Sequence, residues 1–232
     1  MSDLFASSAF FGLLLSGGSF ELARAINRRM GREVCSPLLF ATLLCCAVLL
    51  LSGTDYEIYY ESGGKMLEYL LTPATICLAI PLYRQFTLMR KHAGAVLAGC
   101  LAGVAAHMAG CAAMLVLFRM EGPEYITLLP KSITTAIGKG LSQELGGYPA
   151  ITMVTIMITG LFGAVAAPAL LRLFRITEPM AQGLAIGASS HAAGTSRAVE
   201  LGDVQGAASS LAIVVTGLLT VAAAPLFAHL AG

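Results

Sequence analysis

The chain has 232 residues, of which 57% are hydrophobic and 12% are charged, and its formal net charge is +1. Soluble domains carry about 25% charged residues, so this composition argues against a water-exposed surface of the usual kind. The near-zero charge, with no basic face, argues against nucleic acid as a partner. The sequence therefore predicts an all-α integral membrane protein in a lipid bilayer.

Six stretches of the chain are apolar enough to cross a bilayer, which takes about 20 mostly apolar residues. Loops rich in Arg and Lys stay in the cytoplasm, which places the loops 24–33 and 84–92 there. The acidic loop 53–66 is then outside, and so is the N-terminus. The predicted spans are 5–23, 34–52, 67–83, 93–118, 149–171 and 207–230.

Two further segments, 129–147 and 187–203, are neither good spans nor ordinary loops. Both are dense in glycine and hydroxyl side chains, and each is followed by a clear span. They resemble copies at a spacing of 57 residues. The matching pairs are Ser132 and Ser189, Ala136 and Ala193, Thr159-Gly160-Leu161 and Thr216-Gly217-Leu218, and Ala166-Ala167-Pro168 and Ala223-Ala224-Pro225.

The position of Arg172 and Arg175 decides between two topologies. A full crossing by 129–147 would leave both arginines outside, whereas a re-entrant segment places them in the cytoplasm, as the positive-inside rule prefers. The favoured fold therefore has about six full transmembrane helices plus two broken, re-entrant segments in an inverted repeat, which is typical of secondary transporters. Eight full crossings are the alternative. The predicted divisions are 1–66 and 67–122 (two helix pairs), then 123–178 and 179–232 (each a re-entrant segment plus a helix).

The two polar segments are the predicted site. The tip of a broken helix offers free backbone N–H groups and a positive dipole end, which suit a small carboxylate. Hydroxyl donors and two cations would complete a substrate site, although Ser and Thr also satisfy backbone groups in tightly packed membrane helices. The candidates are Ser132, Thr134, Thr135, Lys139, Ser189, Ser190, His191, Thr195, Ser196 and Arg197.

Three residues are candidates for coupling transport to an ion. His191 lies inside the second segment, where a titratable group is costly and tends to be functional. Glu144 and Glu200 occupy matching places, although Glu200 is more simply read as a local pair with Arg197, three residues earlier. His107 and His229 are predicted to be structural.

No constellation for enzyme chemistry is present in the sequence. It has no GxSxG, no HExxH and no P-loop, and its glycine-rich stretches follow no strand. The six cysteines form no CxxC and are read as packing residues. We therefore expect no enzymatic activity, no cofactor and no metal site.

Four motifs carry a resemblance to a known family. The segments Thr72–Tyr83, Leu129–Thr135, Glu144–Gly147 and Ser190–Thr195 resemble, in this order, those of the LrgB/CidB family. The resemblance implies one of two functions, and the duplicated, hydroxyl-rich segments favour the first. One is transport of small 2-hydroxy or 2-keto monocarboxylates such as glycolate or pyruvate, as in the related plastid glycolate/glycerate translocator. The other is a holin- or antiholin-like control of murein hydrolase export and cell lysis.

The resemblance and the small size of the chain also imply partners and a location. A bacterial cytoplasmic (inner) membrane, a small LrgA/CidA-type membrane partner and coupling to a proton or sodium ion are expected. A chain of this length is small for a carrier that needs both a scaffold and a moving part, so we also expect a homodimer.

Overall fold

The computed structural model describes residues 10–30, 37–77 and 79–231, and these residues form helices without any strand. The all-helical prediction is confirmed for them. The chain divides into two compact units, Met1–Cys77 and Leu78–Gly232.

The first unit is built on two helices that contact each other, α1 (Phe11–Met30) and α2 (Pro37–Ser52). They are followed in the chain by a one-turn helix, α3 (Tyr56–Tyr59), a π-helical turn (Tyr60–Gly64) and α4 (Lys65–Cys77).

The π-helical turn packs against the start of α1. The backbone N–H of Gly12 donates to Ser62 Oγ at 3.2 Å, and the Ser16 and Tyr59 hydroxyls are 2.8 Å apart. Gly63 has φ +138°, a conformation that residues with a side chain rarely adopt. The acidic segment 53–66 is therefore a folded cap on α1 and not an extended loop.

The second unit contains the long helices. In chain order its elements are α5 (Ala79–Arg84), α6 (Phe86–Lys91), α7 (Ala93–Phe118), α8 (Gly122–Leu128), α9 (Thr135–Leu145), α10 (Pro149–Leu173), α11 (Pro179–Leu201), α12 (Asp203–Ala228) and a 3₁₀ turn (His229–Ala231).

Three helices in the described part of the chain are long and apolar enough to cross a membrane, namely α7, α10 and α12. They match the predicted spans 93–118, 149–171 and 207–230. The other predicted spans are partly covered: 5–23 and 34–52 begin outside the described residues, and 67–83 corresponds to α4 and α5.

Two predicted loops are corrected by the structure. Residues 24–30 belong to α1, and Phe86–Lys91 forms α6. Arg and Lys are good helix formers, so a basic run indicates where the chain leaves lipid and not where a helix ends. Residues 31–33 of the first loop lie outside the described residues.

We call residues 122–147 the first hairpin, because the chain reverses inside it. The N–H of Tyr148 donates to Thr127 Oγ1 at 2.8 Å, and the Thr152 hydroxyl donates to the Thr127 carbonyl at 3.0 Å. The two ends of the stretch between Thr127 and Tyr148 therefore lie side by side. Its helix α9 has 11 residues and rises only about 16 Å, half the thickness of a bilayer core.

We call residues 179–202 the second hairpin, because α11 is two half-helices joined at His191. His191 has φ 39° and ψ −137°, far from helical values. A Cβ built on Gly194 would lie 3.2 Å from the carbonyl oxygen of Ile186, although eight residues of straight helix would separate them by about 12 Å. The Gln205 amide also donates to Gln182 Oε1 at 3.1 Å, so both ends of this hairpin meet as well.

The two hairpins pack on opposite halves of α7. Tyr125, Leu129 and Leu141 of the first hairpin share a core with Met108 and Cys111 in the C-terminal half of α7. Met180, at the start of the second hairpin, shares a core with Val96 and Cys100 in the N-terminal half, together with Ala208 and Ala212 of α12.

Matching elements of the two hairpins begin 57 residues apart. The helices start at Gly122 and Pro179, after the N-cap residues Glu121 and Glu178. The half-helices beyond the breaks start at residues 135 and 192. This spacing equals that of the sequence matches.

Candidate functional site

The tip of each hairpin contacts the middle of the long helix that follows the other hairpin. His191, at the tip of the second hairpin, packs on Gly160 of α10, and its Nε2 lies 2.9 Å from the Ile156 carbonyl oxygen. Ile137, near the tip of the first hairpin, packs on Gly217 of α12. Gly160 and Gly217 are themselves 57 residues apart, so the two contacts occupy equivalent places.

Buried hydroxyl pairs fasten each hairpin to the long helix that follows it. The Ser142 and Thr152 hydroxyl oxygens are 2.7 Å apart in the first case, and those of Thr195 and Ser209 are 2.7 Å apart in the second. A buried polar group without a partner is costly, so these pairs hold the half-helices in place.

A partly open cavity of about 770 Å³ lies beside the hairpin tips. It extends from the starts of α7 and α11, at Ala95 and Glu178, to Ser132 and Ser189 at the tips. Small residues of α7 and α11 form most of its wall. The polar residues of the lining are His107, Lys131, Ser132, Thr159, Glu178 and Ser189.

The end of the cavity at the hairpin tips is organised around His107. Its Nε2 lies 2.7 Å from the Leu129 carbonyl oxygen, and its Nδ1 lies 3.4 Å from Ser132 Oγ. Lys131 directly precedes Ser132 and lines the same cavity. This end therefore presents a cation, hydroxyl groups and an imidazole, which is a donor set suited to an oxyanion.

Two of the predicted site residues line the cavity, and they are the matching pair Ser132 and Ser189. Ser190, His191 and Thr195 are buried instead. Ser190 Oγ lies 3.0 Å from Ser189 Oγ, and the Thr195 hydroxyl donates to the His191 carbonyl at 2.9 Å. These three side chains hold the break in α11 together.

The remaining predicted residues lie outside the cavity lining. Thr134 is the N-cap of α9, and Thr135 is its first residue. Ser196 is exposed and donates to the Ala192 carbonyl at 3.3 Å.

The cations and acids named from the sequence also lie away from the lining. Lys139 and Glu144 are exposed on α9. Arg197 pairs with Glu200 at 2.6 Å, so the local ion pair is confirmed.

Sequence reasoning missed four polar residues of the lining. Lys131 lies in the first polar segment and Thr159 in a repeated triplet, but the sequence predicts Lys139 and Arg197 as the cations. Glu178 lies outside both polar segments. His107 is predicted to be structural, although an ionisable group inside a 26-residue apolar helix is itself a functional signal.

The chain matches the LrgB-like family over residues 17–230. It belongs to this family. Like other members, it is a membrane protein of the LrgB type. It is 36% identical over 203 residues to the uncharacterized protein YwbG of Bacillus subtilis (strain 168), a match that covers 88% of this chain and 90% of YwbG. No solved structure matches the chain.

Proposed function

We propose that this LrgB-like protein is a secondary transporter, or the large subunit of one, for small 2-hydroxy or 2-keto monocarboxylates such as glycolate or pyruvate. The observation that carries the proposal is the pair of folded-back hairpins whose tips place Ser132 and Ser189 in one cavity. Broken helices that meet near the middle of the bilayer are typical of substrate sites in secondary transporters.

The depth of the tips supports this proposal. Gly160 lies near the centre of the 25-residue α10, and Gly217 lies near the centre of the 26-residue α12. If both helices cross the membrane, the tips that contact these glycines lie near the midplane. Because the hairpins pack on opposite halves of α7, they would enter from opposite faces, as inverted repeats do.

The polar lining supports a small carboxylate as the substrate. An anion at this depth needs a counter-charge, which Lys131 supplies, and polar groups in place of water, which the hydroxyls of Ser132, Ser189 and Thr159 supply. The cavity is large enough for a drug-sized ligand. We therefore place the substrate only at the end beside the hairpin tips, with water filling the rest.

The orientation follows from the basic residues. Arg90 and Lys91 precede α7, and Arg172 and Arg175 close α10. Both helix ends lie near the base of the second hairpin, since Val96 shares a core with Met180, and Leu201 packs against the core that contains Leu171. On the positive-inside rule this end faces the cytoplasm, and the cavity extends to it from the hairpin tips. We also place the N-terminus outside, because three predicted spans precede the basic segment 84–92.

The cellular setting of the transporter is part of the same proposal. We place the protein in the bacterial inner membrane as a homodimer, with a small LrgA/CidA-type partner and a coupled proton or sodium ion. In the described residues many large apolar side chains are exposed, Leu51, Val116 and Leu226 among them. Lipid, a second copy or the small partner would cover them.

Uptake of labelled glycolate and pyruvate into proteoliposomes tests the function. A carrier gives saturable uptake that unlabelled monocarboxylate competes away. Equal leakage of an unrelated solute such as a sugar would instead indicate a holin-like pore, and liposomes that stay sealed and inactive even with the small partner present would indicate a lysis regulator. Either result would contradict the proposal.

A further inference from the structure

His107 is placed between the backbone of the first hairpin and the cavity. Its Nε2 is 2.7 Å from the Leu129 carbonyl oxygen. A carbonyl oxygen can only accept a hydrogen bond, so Nε2 carries the proton in the neutral ring. Nδ1 is then an acceptor, and the group facing it is the Ser132 hydroxyl, 3.4 Å away.

This arrangement fixes the direction of the Ser132 hydroxyl. While His107 is neutral, the Ser132 O–H donates to Nδ1 and turns its lone pairs toward the cavity. Lone pairs repel a carboxylate. When a proton binds Nδ1, the ring donates to Ser132 Oγ, and the O–H is released to donate to a ligand in the cavity.

We propose that His107 couples one proton to the binding of each carboxylate. The inference rests on the proposed transport function and names its coupling ion. The proton comes from the solution and forms an N–H bond at Nδ1, which breaks again when the proton is released, and no other covalent bond changes. Binding of the proton and of the anion favour each other, as linkage requires.

The other titratable groups around His107 support this coupling. Lys131 and Glu178 line the same cavity, on the first hairpin and just before the second. In an empty cavity an imidazolium would lie beside the Lys131 cation, which disfavours it, whereas a bound carboxylate between them offsets the repulsion. Cys111, with Sγ 3.8 Å from Nδ1, and the buried Tyr125 complete the surroundings as neutral groups.

His191, the coupling candidate named from the sequence, lacks this position. Its ring is buried and bonded to the Ile156 carbonyl, and it is not part of the cavity lining. His191 therefore lacks a contact with a bound anion like the one that His107 has through the Ser132 hydroxyl.

Calorimetry on the purified full chain tests the proposal. Binding of glycolate and pyruvate is measured in two buffers of different ionisation enthalpy, which reports the protons taken up. We expect the wild type to take up close to one proton per carboxylate, with an affinity that rises at most about tenfold per pH unit as the pH falls. His107→Gln keeps a donor for the Leu129 carbonyl and should bind without proton uptake. His229→Gln, at the exposed end of α12, is the control and should behave as the wild type.

A second variant serves if His107→Gln does not fold. Ser132→Ala keeps the His107 imidazole and removes the hydroxyl whose direction the protonation of His107 changes. It should bind as the wild type does at high pH, where that hydroxyl is committed to His107. At low pH it should bind about tenfold or more weakly, the value of a hydrogen bond to a charged group.

Three results would overturn the coupling role. They are proton uptake that persists in His107→Gln, binding that depends on sodium without proton uptake, and equal weakening of Ser132→Ala at both pH values. If the wild type binds no carboxylate, the transport function itself fails and the coupling fails with it.

Discussion

Gly160 is the residue at which the packing of the second hairpin can be tested most directly. A Cβ built there would lie 2.7 Å from His191 Nε2 and 3.2 Å from Ala193 Cβ. Carbon atoms pack best at about 3.5–4.0 Å, so Gly160→Ala requires the His191 ring to move by roughly 1 Å. Because Nε2 is held 2.9 Å from the Ile156 carbonyl, that movement breaks the hydrogen bond.

The size of the effect follows from two opposing terms. Overpacking of this kind costs about 1–3 kcal/mol, while Ala in place of Gly stabilises a helix by about 1 kcal/mol. Gly110→Ala in α7 is the matched control, because nothing lies within 4 Å of the Cβ position there. The helix term is common to both variants, so Gly160→Ala should be less stable than Gly110→Ala by about 1–3 kcal/mol.

The free energy of unfolding can be measured by titrating SDS into detergent micelles. The reactivity of the buried cysteines Cys100 and Cys111 toward a maleimide dye reports unfolding, above the constant signal of the exposed cysteines. Equal stability of Gly160→Ala and Gly110→Ala would refute the close contact between the hairpin tip and α10.

Three further predictions concern bonds and topology. Thr195→Val and Ser209→Ala should each lower the free energy of unfolding by about 1 kcal/mol. Because both remove the same hydrogen bond, the double variant should lose less stability than the two single losses added together. Strict additivity in this double-mutant cycle would contradict the hydrogen bond. Arg197→Ala should cost no more than about 1 kcal/mol in the same titration, because its partner Glu200 is 57% exposed; a larger loss would show that the pair is shielded from solvent. Arg175→Cys should react with an impermeant maleimide from the cytoplasmic side, and labelling from outside would rule out the proposed orientation.

The long helices could be predicted because their apolar runs are continuous. The two polar segments could be recognised by their glycine and hydroxyl content, and both fold back. The break at His191 could not be placed, since its left-handed backbone conformation is imposed by contacts with α10 and not by a local glycine or proline.

The site was predicted only in part, because helix phase decides which hydroxyls face the cavity. Ser189 and Ser190 are neighbours in sequence, yet the first lines the cavity and the second is buried against α10. Lys131 and Lys139 are eight residues apart on the same hairpin, and composition alone does not separate them. The reversal of the chain between them leaves Lys131 at the tip and Lys139 on the exposed side of α9.

That pair of lysines provides the most direct test of the account. Counterflow of labelled glycolate is measured in proteoliposomes loaded with unlabelled glycolate, for the wild type, Lys131→Met and Lys139→Met. If the carboxylate binds at the hairpin-tip end of the cavity, Lys131→Met weakens half-saturation by about tenfold or more, while Lys139→Met transports as the wild type does. Normal counterflow in Lys131→Met, or the larger defect in Lys139→Met, would contradict a transport site in this cavity.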